Sequence, residues 1–508
     1  MQNVIQTKES LLPLLVFLVP TAMGVITLLI GRIRREFHFE WALLGLLGTL
    51  AVSVEITRQI ITQNCVLTAW NENFYVDGLS ALMEILGCGM GVIIVLYSFR
   101  YIPHRLRGDP ALPSKLSLYY GLLLLFLGMM NWTCATNNIV MLYVSLEFTT
   151  LATAFLVVFY GSRQSLEAGY KYLVLVTIGV LFGLVGLCLI YSAASGLPQM
   201  AGRRILLITE LGSAAKLMPS SVVLLACALL VAGFGTKAGL VPFHAWLPDA
   251  HAEAPAPISA LLSGVVIKVG AYALARTVAI FAATYPAVPV FMAVMCSATM
   301  LIGIVMAWAQ DDVKRLLAFH SVSQMGYIAE GMGMGTYLGI YAGLFHLLNH
   351  TLFKGLLFLA IGAVIHATGG LRRMSQMSGL GAKIPVVALC FFTGALAMGG
   401  MPPFNGFFSK FTLFLAVTQR HLFWAAVISI ATSLLTLACM AHVAYKIFWG
   451  PLRVEGPTPA EEVKEVPRTM QAAMLILAIL TLAVGVIPRL TYPLLDNATR
   501  CIMKIVAG

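Results

Sequence analysis

The sequence predicts an all-α polytopic membrane protein of about fourteen transmembrane helices. Three observations carry that reading. The chain of 508 residues is 59% hydrophobic. Only 10% of it is charged, against roughly 25% in a soluble domain. Apolar stretches of roughly 20 residues, the length that crosses a bilayer core, recur along its whole length, and the mean hydropathy is +0.90.

Taken in order, the spans fall at about 11–31, 41–63, 78–101, 117–136, 138–160, 169–194 and 221–241, then 255–284, 287–309, 314–334, 337–366, 383–417, 422–449 and 468–492. The first follows a polar start, MQNVIQTKES, and runs on without a small-residue cleavage site, so it is expected to stay as a span. Asp77, in NFYVDGLS, sits where a helix cap is expected before the third. Five-helix sets follow at 117–284 and 285–449, after an N-terminal three-helix segment at 1–116 and before a polar loop and last span at 450–508. In each set the fourth helix is broken by Gly and Pro, at Pro242-Phe243-His244 and at Pro403-Phe404-Asn405. Five is odd, so the second set is expected to be inverted in the membrane relative to the first, as in many transporters.

Charge orients the chain. Arg32, Arg34, Arg35, Arg105, Arg107, Lys115, Arg163, Lys171, Lys314, Arg315, Arg372, Arg373, Lys383, Lys446, Arg453, Lys464 and Arg468 fall on one side. The other holds a thinner set, chiefly Lys8, Arg58, Arg203, Arg204, Lys216, Arg420, Arg500 and Lys504. Basic loops stay inside, so both termini are expected outside, on the periplasmic face of an inner membrane. The same rule accounts for much of the net charge of +11, which is therefore no sign of nucleic-acid binding. The acidic group Glu455, Glu461, Glu462 and Glu465 reads as a solvated loop. The nine cysteines are scattered with no C-x-x-C, and no P-loop or dinucleotide fingerprint occurs. Iron–sulfur, zinc and nucleotide binding therefore have no support, and no cofactor is expected.

Ionisable residues inside spans are costly and mark ion or proton pathways. Lys237, in GFGTKAGLVPFHAWLPDA, and Lys410, in GGMPPFNGFFSKF, each lie beside a Gly/Pro break. Glu147, in NNIVMLYVSLEFTTLATAFL, is either a packing carboxyl or the partner of a buried cation, with Lys237 the best candidate. Lys268, in LLSGVVIKVGAYALAR, reads as a relay or as a snorkelling side chain. His346, His350 and Lys354 recur every four residues, so they share one helix face. Without an H-E-x-x-H glutamate or a third ligand this stripe suits a proton relay better than a metal. His320 and His366 extend it or are satisfied packing groups. His244 and His251 flank the broken seventh span and are placed at an access loop.

At these residues the chain resembles the antiporter-like membrane subunits of respiratory complex I, of energy-converting [NiFe] hydrogenases and formate hydrogenlyases, and of Mrp-type cation/proton antiporters. The pieces that carry the resemblance are Glu147, KAGLVPFHAWLPDAHAEAPAPISALLSGVVIKVGAY at 237–272, DDVKRLLAFHSVSQMGY at 311–327, LNHTLFKGLLFLAIGAVIHATG at 348–369 and GMPPFNGFFSKF at 400–411. It implies fourteen helices in two inverted repeats. It also implies a Glu147–Lys237 pair, a relay through Lys268 and His350/Lys354, and an end residue at Lys410, where some relatives carry glutamate. The sixth span has no acid to match the aspartate of some members. The wording leans toward the hydrogenase type. The resemblance implies as partners other membrane subunits, antiporter-like paralogues among them, and a peripheral redox arm with [NiFe] or iron–sulfur subunits. Redox chemistry is expected in those partners. The alternative is a subunit of a multi-subunit Na⁺/H⁺ antiporter, although a Lys/His row suits protons better than sodium, which favours oxygen ligands.

Overall fold

The computed structural model describes residues 6–30, 38–456 and 463–507. Arg32, Arg34, Arg35, Glu461 and Glu462 lie outside the described residues. Strand β1 (Gln6–Glu9) leads into α1 (Leu12–Ile30) and α2 (His38–Gln63). Strands β2 (Cys65–Ala69) and β3 (Phe74–Val76) follow; β2 pairs parallel with β1 and antiparallel with β3. Next come α3 (Gly78–Arg105), α4 (Leu112–Ala135), α5 (Ile139–Val157), α6 (Arg163–Ser195), the short α7 (Ile208–Ala215) and α8 (Ser220–Ala238). After a break, α9 (Trp246–Glu253), α10 (Ala256–Leu261), a π-turn (Leu262–Val266) and α11 (Ile267–Thr284) continue the chain. Then follow α12 (Ala287–Trp308), α13 (Val313–Gly333) and α14 (Tyr337–Ala367). A two-residue strand β4 (Met377–Ser378) precedes α15 (Pro385–Gly399), α16 (Asn405–Gln419) and α17 (Phe423–Phe448). Its partner β5 (Arg453–Val454), α18 (Arg468–Val486) and α19 (Tyr492–Ala507) complete the chain.

Local chemistry sets these boundaries. Asn138, Ser162, Asp312 and Thr336 accept hydrogen bonds from the first free amides of α5, α6, α13 and α14. Gly239 and Gly400 end α8 and α15 in the left-handed region, at φ 78° and 81°, where a side chain is strained. Both breaks that follow hold a cis X–Pro bond, Val241–Pro242 and Pro402–Pro403.

Among the described residues, 12 helical segments are long and apolar enough to cross a membrane, with α10 to α11 counted as one. The protein is a multi-pass membrane protein. Two expected spans fall outside that set for visible reasons. Helix α13 carries Lys314, Arg315, His320, Gln324 and Glu330, which lower its hydropathy. The 383–417 stretch is split into α15 and α16, each of 15 residues. The last expected span ends earlier than 492, at Val486, and a separate helix, α19, follows it with one apolar and one polar face.

Large apolar side chains stand exposed along α6, α12, α17 and α18, among them Ile178, Phe182, Val305, Leu434 and Ile479. That is the surface a helix turns to lipid. By contrast, the apolar stretches of α10–α11 and α14 are wholly buried. These two form the axis of the molecule, and both carry charges. One end is a charged pocket of about 660 Å³ lined by Lys171, Asp249, Glu253, Asp312, Arg315 and Arg372 among others. The opposite end carries the small sheet, α7 and α19; there Tyr337, at the start of α14, bonds Asp496.

Candidate functional site

The expected residues lie on seven helices, with His244 in the break between α8 and α9. Lys237 occupies the last turn of α8, where the partial negative charge of the helix end favours a cation. It does not reach the Glu147 carboxylate. The ammonium donates to Thr150 Oγ1 at 2.7 Å and to Tyr172 OH at 3.3 Å. Thr150 lies one turn from Glu147 on α5, and Glu147 Oε2 accepts from Thr177 Oγ1 at 3.3 Å while its Oε1 has no partner. Acid and lysine thus make no direct contact and are held by different hydroxyls, but they lie close enough to act on each other's charge.

Lys268 is buried on α11, which rules out snorkelling to an interface. Its ammonium bonds the Ser263 carbonyl and meets His350 Nδ1 at 2.5 Å. Ser263 belongs to the π-turn, where the helical ladder is interrupted and carbonyls are free to take other donors. The neighbouring Gly264 carbonyl accepts from Thr351 of α14 at 2.9 Å. If the lysine donates to Nδ1, the proton of a neutral His350 ring sits on Nε2, which is buried without a partner.

On α14, the His346 and His350 rings are 6.4 Å apart. His346 Nδ1 meets Ser409 Oγ at 3.0 Å and Nε2 meets Gln324 Oε1 at 3.1 Å. Ser409 is the residue before Lys410, so the stripe reaches α16. Lys354 donates to the Leu317 carbonyl of α13 at 2.5 Å. Lys410 donates to Met398 O at 2.7 Å and Ser433 Oγ at 3.0 Å. Met398 is in the last turn of α15, so its carbonyl is one of those that an α-helix leaves free. Gly400 keeps that approach open, since a Cβ there would stand 3.3 Å from Ser433 Oγ and 3.1 Å from the Lys410 chain.

His320 is buried with neither ring nitrogen bonded. So is His251. His244 is half-buried, and its Nδ1 is unpaired. His366 does not extend the stripe: its ring stacks 4.1 Å from His104 of α3, near the pocket end of α14. Lys268 and Lys237 make no direct contact, so the row has a gap between α8 and α11.

Four buried charged groups were not expected: Lys314, Arg276, Glu84 and Glu330. Lys314, counted among the loop charges, is buried and donates to the Ala252 and Ala254 carbonyls at the end of α9. It underlies the charged pocket. Asp77 caps α3 through Leu79 N and Ser80 N, and it also takes a two-pronged ion pair from Arg276 of α11, with both contacts at 2.6 Å. Glu84 of α3 is buried with both oxygens unpaired. Glu330 of α13 is buried with one oxygen unpaired. Each acid lies singly in an apolar run, the same signal that marked Glu147. Arg276 closes the quoted LLSGVVIKVGAYALAR stretch.

A common rule runs through the site. The buried lysines are held by hydroxyls, by the His350 ring nitrogen and by backbone carbonyls at helix ends, in the π-turn and on α13, and none touches a carboxylate. Such a site binds a proton without trapping it in an ion pair.

Residues 136–436 match the family described as NADH:quinone oxidoreductase/Mrp antiporter, TM. The chain is 32% identical to NADH-quinone oxidoreductase subunit N of Desulforudis audaxviator, over 93% of this chain and 95% of that one. It is 35% identical to a hydrogenase-4 component F homolog of Methylacidiphilum infernorum, over 70% and 75%. Its fold superposes with a TM-score of 0.86, at 26% identity over 98% of this chain and 99% of the other, on a chain of the membrane-bound sulfane sulfur reductase, an archaeal respiratory membrane complex. The chain belongs to the NADH:quinone oxidoreductase/Mrp antiporter membrane family.

Proposed function

We propose that this chain is the proton-translocating, non-redox membrane subunit of an energy-converting oxidoreductase complex of the hydrogenase or complex I type. The observation that carries the reading is the row of buried titratable side chains Lys268, His350, Lys354, His346 and Lys410, preceded by the buried Lys237 and the half-buried Glu147. Protons enter from the charged pocket, pass Lys314 and His251, and move laterally along the row. Glu147 and Lys237 form the switch. Separated, as they stand, they leave the lysine free to release its proton; brought together, they hold it. Other membrane subunits of the same complex surround the chain, and a peripheral redox arm drives the switch. The two five-helix sets at 117–284 and 285–449 are inverted repeats within fourteen spans, and both termini face outward across the inner membrane.

The alternative is a subunit of an Mrp-type Na⁺/H⁺ antiporter, which the family description also covers. The Lys- and His-rich row argues for protons in either setting.

The test is coupled proton uptake by membrane vesicles that contain the intact complex. Glu147→Ala and Lys237→Ala are each expected to lower it at least about tenfold with assembly retained, as loss of a positioned proton-transfer group does. Wild-type pumping in both variants overturns the reading. Uptake that requires added sodium favours the antiporter alternative.

A further inference from the structure

The proton path, on the reading above, ends at Lys410, but Lys410 is not the last buried titratable group on the way to the outer end of the bundle. Glu330 lies on α13 three residues beyond Tyr327 and three before the end of that helix at Gly333. Helix α13 starts at Asp312 in the charged pocket, so its far end points to the opposite face. Arg420, one of the outer-set charges, donates to the Met334 carbonyl there at 3.0 Å.

The two residues share Tyr327 and one face of α17. The Lys410 ammonium sits 4.9 Å over the Tyr327 ring. It also donates to Ser433 Oγ on α17 at 3.0 Å. One helical turn along α17, Ser429 Oγ donates to Glu330 Oε2 at 3.0 Å, and Tyr327 OH donates to the Ser429 carbonyl at 2.7 Å. Lys410 and Glu330 are thus served by successive hydroxyls of the same helix face. Glu330 is fully buried, Oε1 has no partner, and no ion pair within 4 Å forms among the described residues. A carboxyl whose only task was packing is expected to have both oxygens satisfied. Tyr327 and Cys296 are the titratable groups that respond to its charge.

We propose that Glu330 is a further proton-carrying residue, the exit-side group that takes the proton from Lys410 and passes it toward the outer face. The step is a transfer of one proton: the Lys410 ammonium becomes an amine, the Glu330 carboxylate becomes a carboxylic acid, and the acid then yields the proton outward. The inference rests on the proposed proton-translocating function. It adds a carrier on α13, where the sequence reading placed none after His320.

The experiment compares the intact complex carrying Glu330→Gln, Glu330→Asp or Lys237→Ala, measured for coupled proton uptake in membrane vesicles and for redox-difference or pH-difference infrared absorption of protonated carboxyls. Glu330→Gln is expected to lower uptake at least about tenfold. Glu330→Asp is expected to keep most of it and to shift one carboxyl band in frequency. Wild-type uptake in an assembled Glu330→Gln complex overturns the inference, and when Lys237→Ala is inactive in the same series the functional reading still stands. If Lys237→Ala pumps normally, the functional reading fails instead. Should Glu330→Gln not assemble, the Glu330→Asp spectrum decides: an unmoved set of carboxyl bands means that residue 330 does not titrate, and the inference falls.

Discussion

Buried charges in this protein are of two kinds, and their surroundings tell them apart. The Asp77–Arg276 pair is fully engaged: Asp77 also caps α3, and Arg276 also meets Tyr272 OH at 3.0 Å and Ser80 Oγ at 2.9 Å. Saturated geometry of this sort ties α3 to α11 and leaves no capacity for transfer. Arg276→Ala strands the aspartate at 0% exposure and is expected to cost about 3–5 kcal/mol of stability, read as a lowered melting temperature in detergent. Proton uptake per assembled complex is expected to hold, which separates this pair from the relay. The lysines of the row are the other kind, held by neutral oxygens and, for Lys268, by the His350 ring nitrogen, with no carboxylate in direct contact. Asp77 is recognisable in the sequence as a cap, yet its ion pair is not, because Arg276 lies 199 residues away and reads as the end of an apolar helix.

At the level of elements, helix breaks and close crossings place the lysines. Gly270, two residues after Lys268, faces the end of α8: a Cβ there would come within 2.5 Å of Ala238 N and 2.7 Å of Phe234 O. These are backbone atoms that cannot turn aside, so Gly270 sets the distance between the Lys237 and Lys268 helices. Gly270→Ala is expected to cost about 1–3 kcal/mol through overpacking. Coupled proton uptake should fall more than stability does, as measured on complex purified at equal assembly. The breaks after Gly239 and Gly400 were legible, since Gly-Pro punctuation in an apolar run has no other common cause. The π-turn at Leu262–Val266 was not. Its residues, LSGVV, suit an α-helix equally well, and the wider turn that frees Ser263 O for Lys268 is formed where this segment and α10 pack against α14.

For the molecule as a whole, the two faces are distinguished by charge. Lys171, Arg315 and Arg372 gather with Asp249, Glu253 and Asp312 in one pocket, whereas Arg203, Arg204 and Arg420 lie at the other end, where Arg204 pairs with Glu72 and Arg203 with Glu210. A membrane-impermeant thiol reagent is expected to label Glu167→Cys and Arg203→Cys from opposite sides of sealed vesicles; labelling from one side would refute the orientation. Composition and apolar run length determined by themselves that the chain is a helical membrane protein, because a bilayer admits few other solutions to backbone hydrogen bonding. They also marked Glu147, Lys237, Lys268, His346, His350, Lys354 and Lys410 as the residues to follow, because charge in an apolar run is conspicuous. Tertiary structure alone decided which groups each of them touches. It gave the Lys237 ammonium to Thr150 and Tyr172, joined Lys268 to His350 across 82 residues of chain, and brought Ser429 to Glu330 across 99. The physical reason is that these contacts join different helices, and helix-to-helix packing depends on shape along whole faces, which no local pattern of residues encodes.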